Sequence, residues 1–177
     1  MTEKTVRPEP DDGGKPEAGN ARITARDCGS DTAGAELHLD RFLPYRLSVL
    51  SNLVSQALAE QYQARFGLSI PQWRVMANLG RTAPMSANEV AERTSMDKVK
   101  VSRAIASMQA LDLLTRETDQ RDNRMVSLKL SAKGRRIYEG IAPMALAWEQ
   151  EFLSVLNDRE IAALDKILVI LDKRIRE

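Results

Sequence analysis

Residues 85–134, MSANEVAERTSMDKVKVSRAIASMQALDLLTRETDQRDNRMVSLKLSAKG, read as two short helices joined by a turn and followed by a basic hairpin. Ser86-Ala87-Asn88-Glu89 is a capping box. The serine oxygen takes the third amide and the glutamate reaches back to the cap, which starts a helix near Ala87. Val90 and Ala91 face inward behind Glu89, Glu92 and Arg93, and the run stops at Thr94-Ser95-Met96. A second helix follows from about Asp97, whose charge suits the positive end of the helix dipole. Its apolar residues Val101, Ile105, Met108 and Leu111 recur at steps of four, three and three, which is one helical face.

The opposite face carries Lys98, Lys100, Ser102, Arg103 and Ser107. Alone, it is either an ordinary solvated surface or a recognition helix, whose N-terminal residues meet base edges and phosphates in the major groove. The next segment favours the second reading. Residues 113–118 and 125–130 alternate as half-buried strands do, around the polar turn Asp119-Gln120-Arg121-Asp122-Asn123-Arg124. Arginines at such a tip, Arg121 and Arg124, can enter the minor groove, where the negative potential attracts guanidinium. Asp122 orients Arg124 or stiffens the loop. The fold class is therefore mainly α with a small β-hairpin wing, a winged helix-turn-helix over about residues 69–131, and its target is duplex DNA.

The succession Met96-Asp97-Lys98, Val101-Ser102-Arg103, Leu113-Leu114-x-Arg116, Asp119-x-x-Asp122-x-Arg124 and Leu130-Ser131-x-x-Gly134 resembles the MarR family of bacterial transcriptional regulators. The wing pattern is its specific part, and the resemblance runs from about residue 38 to the C-terminus. It implies a homodimer whose paired winged helices bind a palindromic operator, usually as a repressor released by a small molecule. It also implies that Arg124 enters the minor groove with Asp122 in support. Ser131 stands where the family commonly has threonine, a change that keeps the helix cap. Lys100 falls at a variable position, so the operator sequence does not carry over.

The net charge of the 177 residues is only +1, yet it is unevenly spread. Residues 81–136 hold twelve Lys or Arg against seven Asp or Glu, whereas residues 1–37 hold five against eight. Positive charge is thus concentrated where DNA would dock. Residues 1–36 contain no aromatic residue, three of the seven prolines and five of the nine glycines, and are expected to be a disordered tail. The remainder, 37–177, suits one domain with one core. There is no secretory leader and no apolar run of 18 residues, so a cytoplasmic protein without a membrane partner is expected.

Cys28 is the single cysteine and His38 the single histidine. They permit neither an internal disulfide nor a zinc site, and no cofactor is expected. Cys28 lies in the tail without the fixed electropositive setting a reactive thiol needs, and His38 at the tail boundary is read as solvated.

Dimerisation and sensing fall to flanking helices. From Leu43 to Phe66, Leu47, Leu50, Val54, Leu58 and Tyr62 recur at three or four, with Pro44 tolerated in the first turn. Ser69-Ile70-Pro71-Gln72 is a further capping box, ahead of a helix that buries Trp73, Val75, Met76 and Leu79. Ser131 caps a long helix bearing Ile137, Ile141, Met144, Trp148 and Phe152, which Pro143 should bend. A last helix starts at Asn157-Asp158-Arg159-Glu160. Its seam of Ile161, Leu164, Leu168, Leu171 and Ile175 suits pairing with a second chain or folding back on its own core. In a two-fold dimer, recognition helices about 34 Å apart would meet successive major grooves and read an inverted repeat.

The resemblance places effectors between the dimerisation helices and the winged helix, and makes them phenols, aromatic acids or aryl thioesters of coenzyme A. Tyr45, Arg46, Ser48, Trp73 and Met76 are the candidate ligand-binding residues. Arg46 could pair with a carboxylate or an interface acid, and Trp73 could cover a ligand or pack the core. Catalytic residues are not expected: the sequence shows no phosphate-binding glycine loop and no framed nucleophile with its base. The alternative to a derepressible repressor is a ligand-independent architectural protein or activator.

Overall fold

Ser69, Ser86, Asp97, Ser131 and Asn157 each adopt an extended backbone just before a helix, and each side chain accepts a hydrogen bond from the helix's first turn. These caps answer the amides that a helix start leaves without internal partners. At Ser69, Ser86 and Asn157 the cap's own amide donates to the side-chain oxygen of Gln72, Glu89 or Glu160, which completes a capping box.

The computed structural model describes residues 36–118 and 126–177. In chain order these form α1 (Leu43–Phe66), α2 (Ile70–Arg81), α3 (Ala87–Thr94), α4 (Lys98–Ala110), β1 (Leu114–Thr118), β2 (Val126–Leu130), α5 (Ala132–Leu153) and α6 (Asp158–Arg176). The chain divides into two compact units after Leu50. In the first unit, the opening turns of α1 carry Leu43, Tyr45, Leu47 and Leu50, all exposed.

In the second unit, β1 and β2 pair antiparallel from Leu114 opposite Leu130 to Thr118 opposite Val126. Met85, just ahead of α3, bonds Leu128 in both directions at 3.2 and 2.7 Å, which fastens the helix pair to the hairpin. Val75, Met76 and Leu79 of α2, Val90 of α3, Met108 of α4 and Ile141 of α5 have no exposed surface and centre the core. Tyr62 and Ala59 bring the far end of α1 into the same core.

Two expectations change, the buried residue after α4 and the start of the first strand. Leu111 lies beyond the end of α4 and is 46% exposed, while Leu113 is 2% exposed. The cause is a Schellman turn. Asp112 adopts φ 56°, its amide donates to the Gln109 carbonyl at 2.9 Å, and the Leu113 amide donates to the Met108 carbonyl at 2.8 Å. The turn carries Leu113 back over Met108, and Ala104 completes the buried face of α4. The first strand accordingly begins at Leu114. At Pro143, α5 continues as helix on both sides.

The start of α5 locks onto that turn. Ser131 Oγ donates to the Asp112 carbonyl at 2.6 Å, and Lys133 Nζ donates to the Leu111 carbonyl at 2.9 Å. Gly134 sits where a Cβ would collide with the Leu113 carbonyl oxygen, so backbone approaches backbone only because the side chain is absent.

Candidate nucleic-acid interface

Helix α4 is buried along Val101, Ala104, Ile105 and Met108, and this fixes which residues face out. Lys98, Lys100, Ser102 and Arg103 are exposed on its first two turns. Asp97 organises the N-terminus: its Oδ1 accepts the Lys100 amide at 2.8 Å and its Oδ2 lies 3.4 Å from Lys100 Nζ. The amide bond, with the lysine charge, holds the Asp97 carboxyl below the ordinary aspartate range. Glu89 is lowered likewise, chiefly by the Ser86 amide it accepts. Among the described residues no carboxylate lies within salt-bridge distance of Lys98 or Arg103.

Ser107 occupies a different position. Its hydroxyl oxygen accepts from Gln72 Nε2 at 2.9 Å, which ties α4 to the capped start of α2. Ser69, Gln72, Lys100, Arg103 and Ser107 border a hollow of about 250 Å³. On the other side, Asn88, Lys98, Ser102 and Arg116 border one of about 230 Å³. Arg116 and Asn88 are additions to the sequence-based set. Arg116 falls on β1 opposite Leu128 and is exposed beside the recognition helix. The wing residues Arg121, Asp122 and Arg124 lie outside the described residues, as does Cys28. At the described base of the wing, Lys129 and Glu117 form a 2.6 Å ion pair across the strands.

A second feature lies away from this surface. A cleft of about 640 Å³ is bordered by Leu58 of α1, Trp73 of α2, Tyr138, Trp148 and Phe152 of α5, and Leu168 of α6. The Trp73 ring lies 5.5 Å from Tyr62 and 6.3 Å from Tyr138, and Trp148 stacks on Phe152 at 5.1 Å. Burial pushes the Tyr62 hydroxyl up to about 12, against the opposing charge of Arg74.

Of the five candidate ligand contacts, Trp73 borders this cleft, whereas Met76 is wholly inside the core. Tyr45, Arg46 and Ser48 are exposed on the first turns of α1. Helix α6 has no buried residue, and its Ile167, Val169 and Ile170 are more than half exposed. No described helix is long and apolar enough to cross a membrane. Among the described residues no three His, Cys, Asp or Glu side chains are grouped to hold a metal ion.

The model of the MarR family matches residues 66–125, from the end of α1 into the wing. The HTH-type transcriptional regulator YwoH of Bacillus subtilis, itself uncharacterised, is 24% identical over 70% of this chain and 88% of its own. A MarR/EmrR-family transcriptional regulator from Acinetobacter sp. ADP1 superimposes with a TM-score of 0.73 at 21% identity, over 79% of this chain and 99% of that one. The PcaV transcriptional regulator from Streptomyces coelicolor, crystallised with its natural ligand, gives 0.67 at 19% identity over 78% and 97%.

Proposed function

We propose that this chain is a DNA-binding transcriptional regulator of the MarR family and works as a homodimeric repressor of a palindromic operator, released by a small aromatic effector. The observation that carries the proposal is the division of α4 into a buried apolar face and an exposed face of Lys98, Lys100, Ser102 and Arg103. A helix docked this way presents cations to phosphates and short polar groups to base edges in the major groove. Arg116, beside Ser102, extends the positive surface toward the wing, where Arg121 and Arg124 supply minor-groove contacts supported by Asp122. Ser107 takes part by holding α4 on α2.

A second copy of the chain is the proposed cover for the exposed apolar residues of α6, among them Ile167, Val169 and Ile170, and for those of the first turns of α1. Two-fold pairing then sets an inverted repeat as the operator. The effector binds against Trp73, in the cleft that this ring borders. It acts by favouring a dimer whose recognition helices are wrongly spaced for successive grooves. By linkage it weakens DNA binding by the factor by which DNA weakens effector binding, typically worth about 1–3 kcal/mol. A regulator of this kind works in the cytoplasm.

The test is a gel-shift titration on duplex from upstream of the protein's own gene at two salt concentrations. Sequence-selective binding that falls steeply with salt is expected, because each neutralised phosphate releases counterions. Arg124→Ala should weaken binding across sequences and flatten the salt slope, whereas Arg103→Ala should relax selectivity at a single base step. Protection of one isolated half-site in a footprint would overturn the dimeric operator.

A further inference from the structure

We propose that the cleft between α1, α2, α5 and α6 takes an aromatic or lipophilic cation, not the acids and thioesters that the sequence resemblance suggests. The inference rests on the reading of the protein as a ligand-responsive regulator, and narrows its effector to one chemical class.

The cleft's volume, about 640 Å³, is that of a small-molecule site, and its walls are aliphatic and aromatic. Its charged members are Glu149 on α5 and Asp165 on α6, both acidic, and neither lysine nor arginine borders it. Among the described residues neither carboxylate has a Lys or Arg within salt-bridge distance or a hydrogen-bond partner. An anionic ligand entering this space would lose water and meet two negative charges without a compensating donor cation. A lipophilic cation would meet both carboxylates at the border together with the aromatic side chains of Trp73, Tyr138 and Trp148. Trp148 and Phe152, stacked with their ring centres 5.1 Å apart, add aromatic surface at the border for a planar or phenyl-bearing guest. Charge and shape therefore select the same occupant.

Both of the chain's tryptophans border the cleft, so its occupancy is readable from intrinsic fluorescence. The test titrates the full-length protein with tetraphenylphosphonium and with tetraphenylborate, ions of nearly the same size and opposite charge. The phosphonium should quench saturably and bind at least about tenfold more tightly than the borate, a difference of about 1.4 kcal/mol. Glu149→Gln combined with Asp165→Asn should reduce that preference several-fold while leaving the melting temperature unchanged, since both side chains are exposed. Equal or tighter binding of the borate, a preference untouched by the double substitution, or no saturable quenching by either ion would each overturn the proposal. Operator gel shifts run with the same two ions separate the two levels. Release of DNA by the borate alone would refute the cation class and uphold a ligand-responsive regulator, whereas phosphonium binding that leaves operator affinity unchanged would refute the regulatory reading and uphold the cleft's charge preference.

Discussion

Gln72 of α2 donates through Nε2 to the Ser107 hydroxyl of α4 at 2.9 Å, while its own side-chain oxygen accepts the Ser69 amide at 2.7 Å. One nearly buried amide thus caps its own helix and braces α4, the proposed recognition helix. Its chain neighbour Trp73 borders the apolar cleft, so α2 touches both the proposed effector space and the recognition helix. An effector that shifts α2 would move α4 through this brace.

Ser107→Ala should lower stability by about 1 kcal/mol, the usual net worth of one hydrogen bond, and Gln72→Ala by more, because the cap goes with it. Urea denaturation of both single variants and the double variant measures the coupling. Strictly additive losses would remove the brace from the account. Ser107→Ala should also change operator affinity less than Arg103→Ala, since Ser107 is turned toward Gln72.

Gly134→Ala should destabilise by about 1–3 kcal/mol despite the ordinary helix preference for alanine, because the new Cβ must displace the Leu113 carbonyl. Thermal melting decides it. A variant as stable as the parent would show that the turn after α4 can move away from α5 without loss.

The caps that start α2, α3 and α6 are legible in the sequence because each is a local pattern, a serine or asparagine followed three residues later by Gln or Glu. The exchange of Leu111 for Leu113 as the buried residue is not, because it depends on Asp112 taking a left-handed conformation that glycine more often signals. Ser107 is exposed on the polar face of α4, as its spacing indicates, but its bond to Gln72 is not legible there. Its partner lies 35 residues away, where helical periodicity carries no information. The acidic character of the cleft is hidden for the same reason, since Glu149 and Asp165 come from different helices. What sequence read well is the face of α4, where a spacing of three and four residues sorts the core from Lys98 and Arg103.

Tyr62 offers a prediction at high pH. Its ionisation in the folded chain is raised from 10.0 to about 12 by burial, so between those values the native state keeps a proton that the unfolded chain loses. Stability from this group is fully present below pH 10 and declines as pH rises toward 12. Absorbance titration near 295 nm should show one late tyrosine step that Tyr62→Phe removes, and the same variant should flatten the alkaline loss of stability. A Tyr62→Phe protein with the parent's slope would assign that loss elsewhere.

The oligomeric state turns on α6. Its N-terminus is capped by the Asn157 capping box, and in its C-terminal turn Arg176 Nε–H is shared between the two Asp172 carboxylate oxygens at 2.9 and 2.8 Å. Nevertheless Ile167 and Ile170 remain 53% and 55% exposed. Each fully buried isoleucine is worth about 1.5–3 kcal/mol, a gain that a second chain would supply. Ile167→Asp with Ile170→Asp should convert a dimer into a monomer at micromolar concentration in light scattering. It should also weaken binding to a full inverted repeat far more than to a single half-site, because pairing, not the DNA-facing surface, has been removed. A wild-type protein that is already monomeric under those conditions would instead leave α6 without a dimerising role, and the operator would then be read one half at a time.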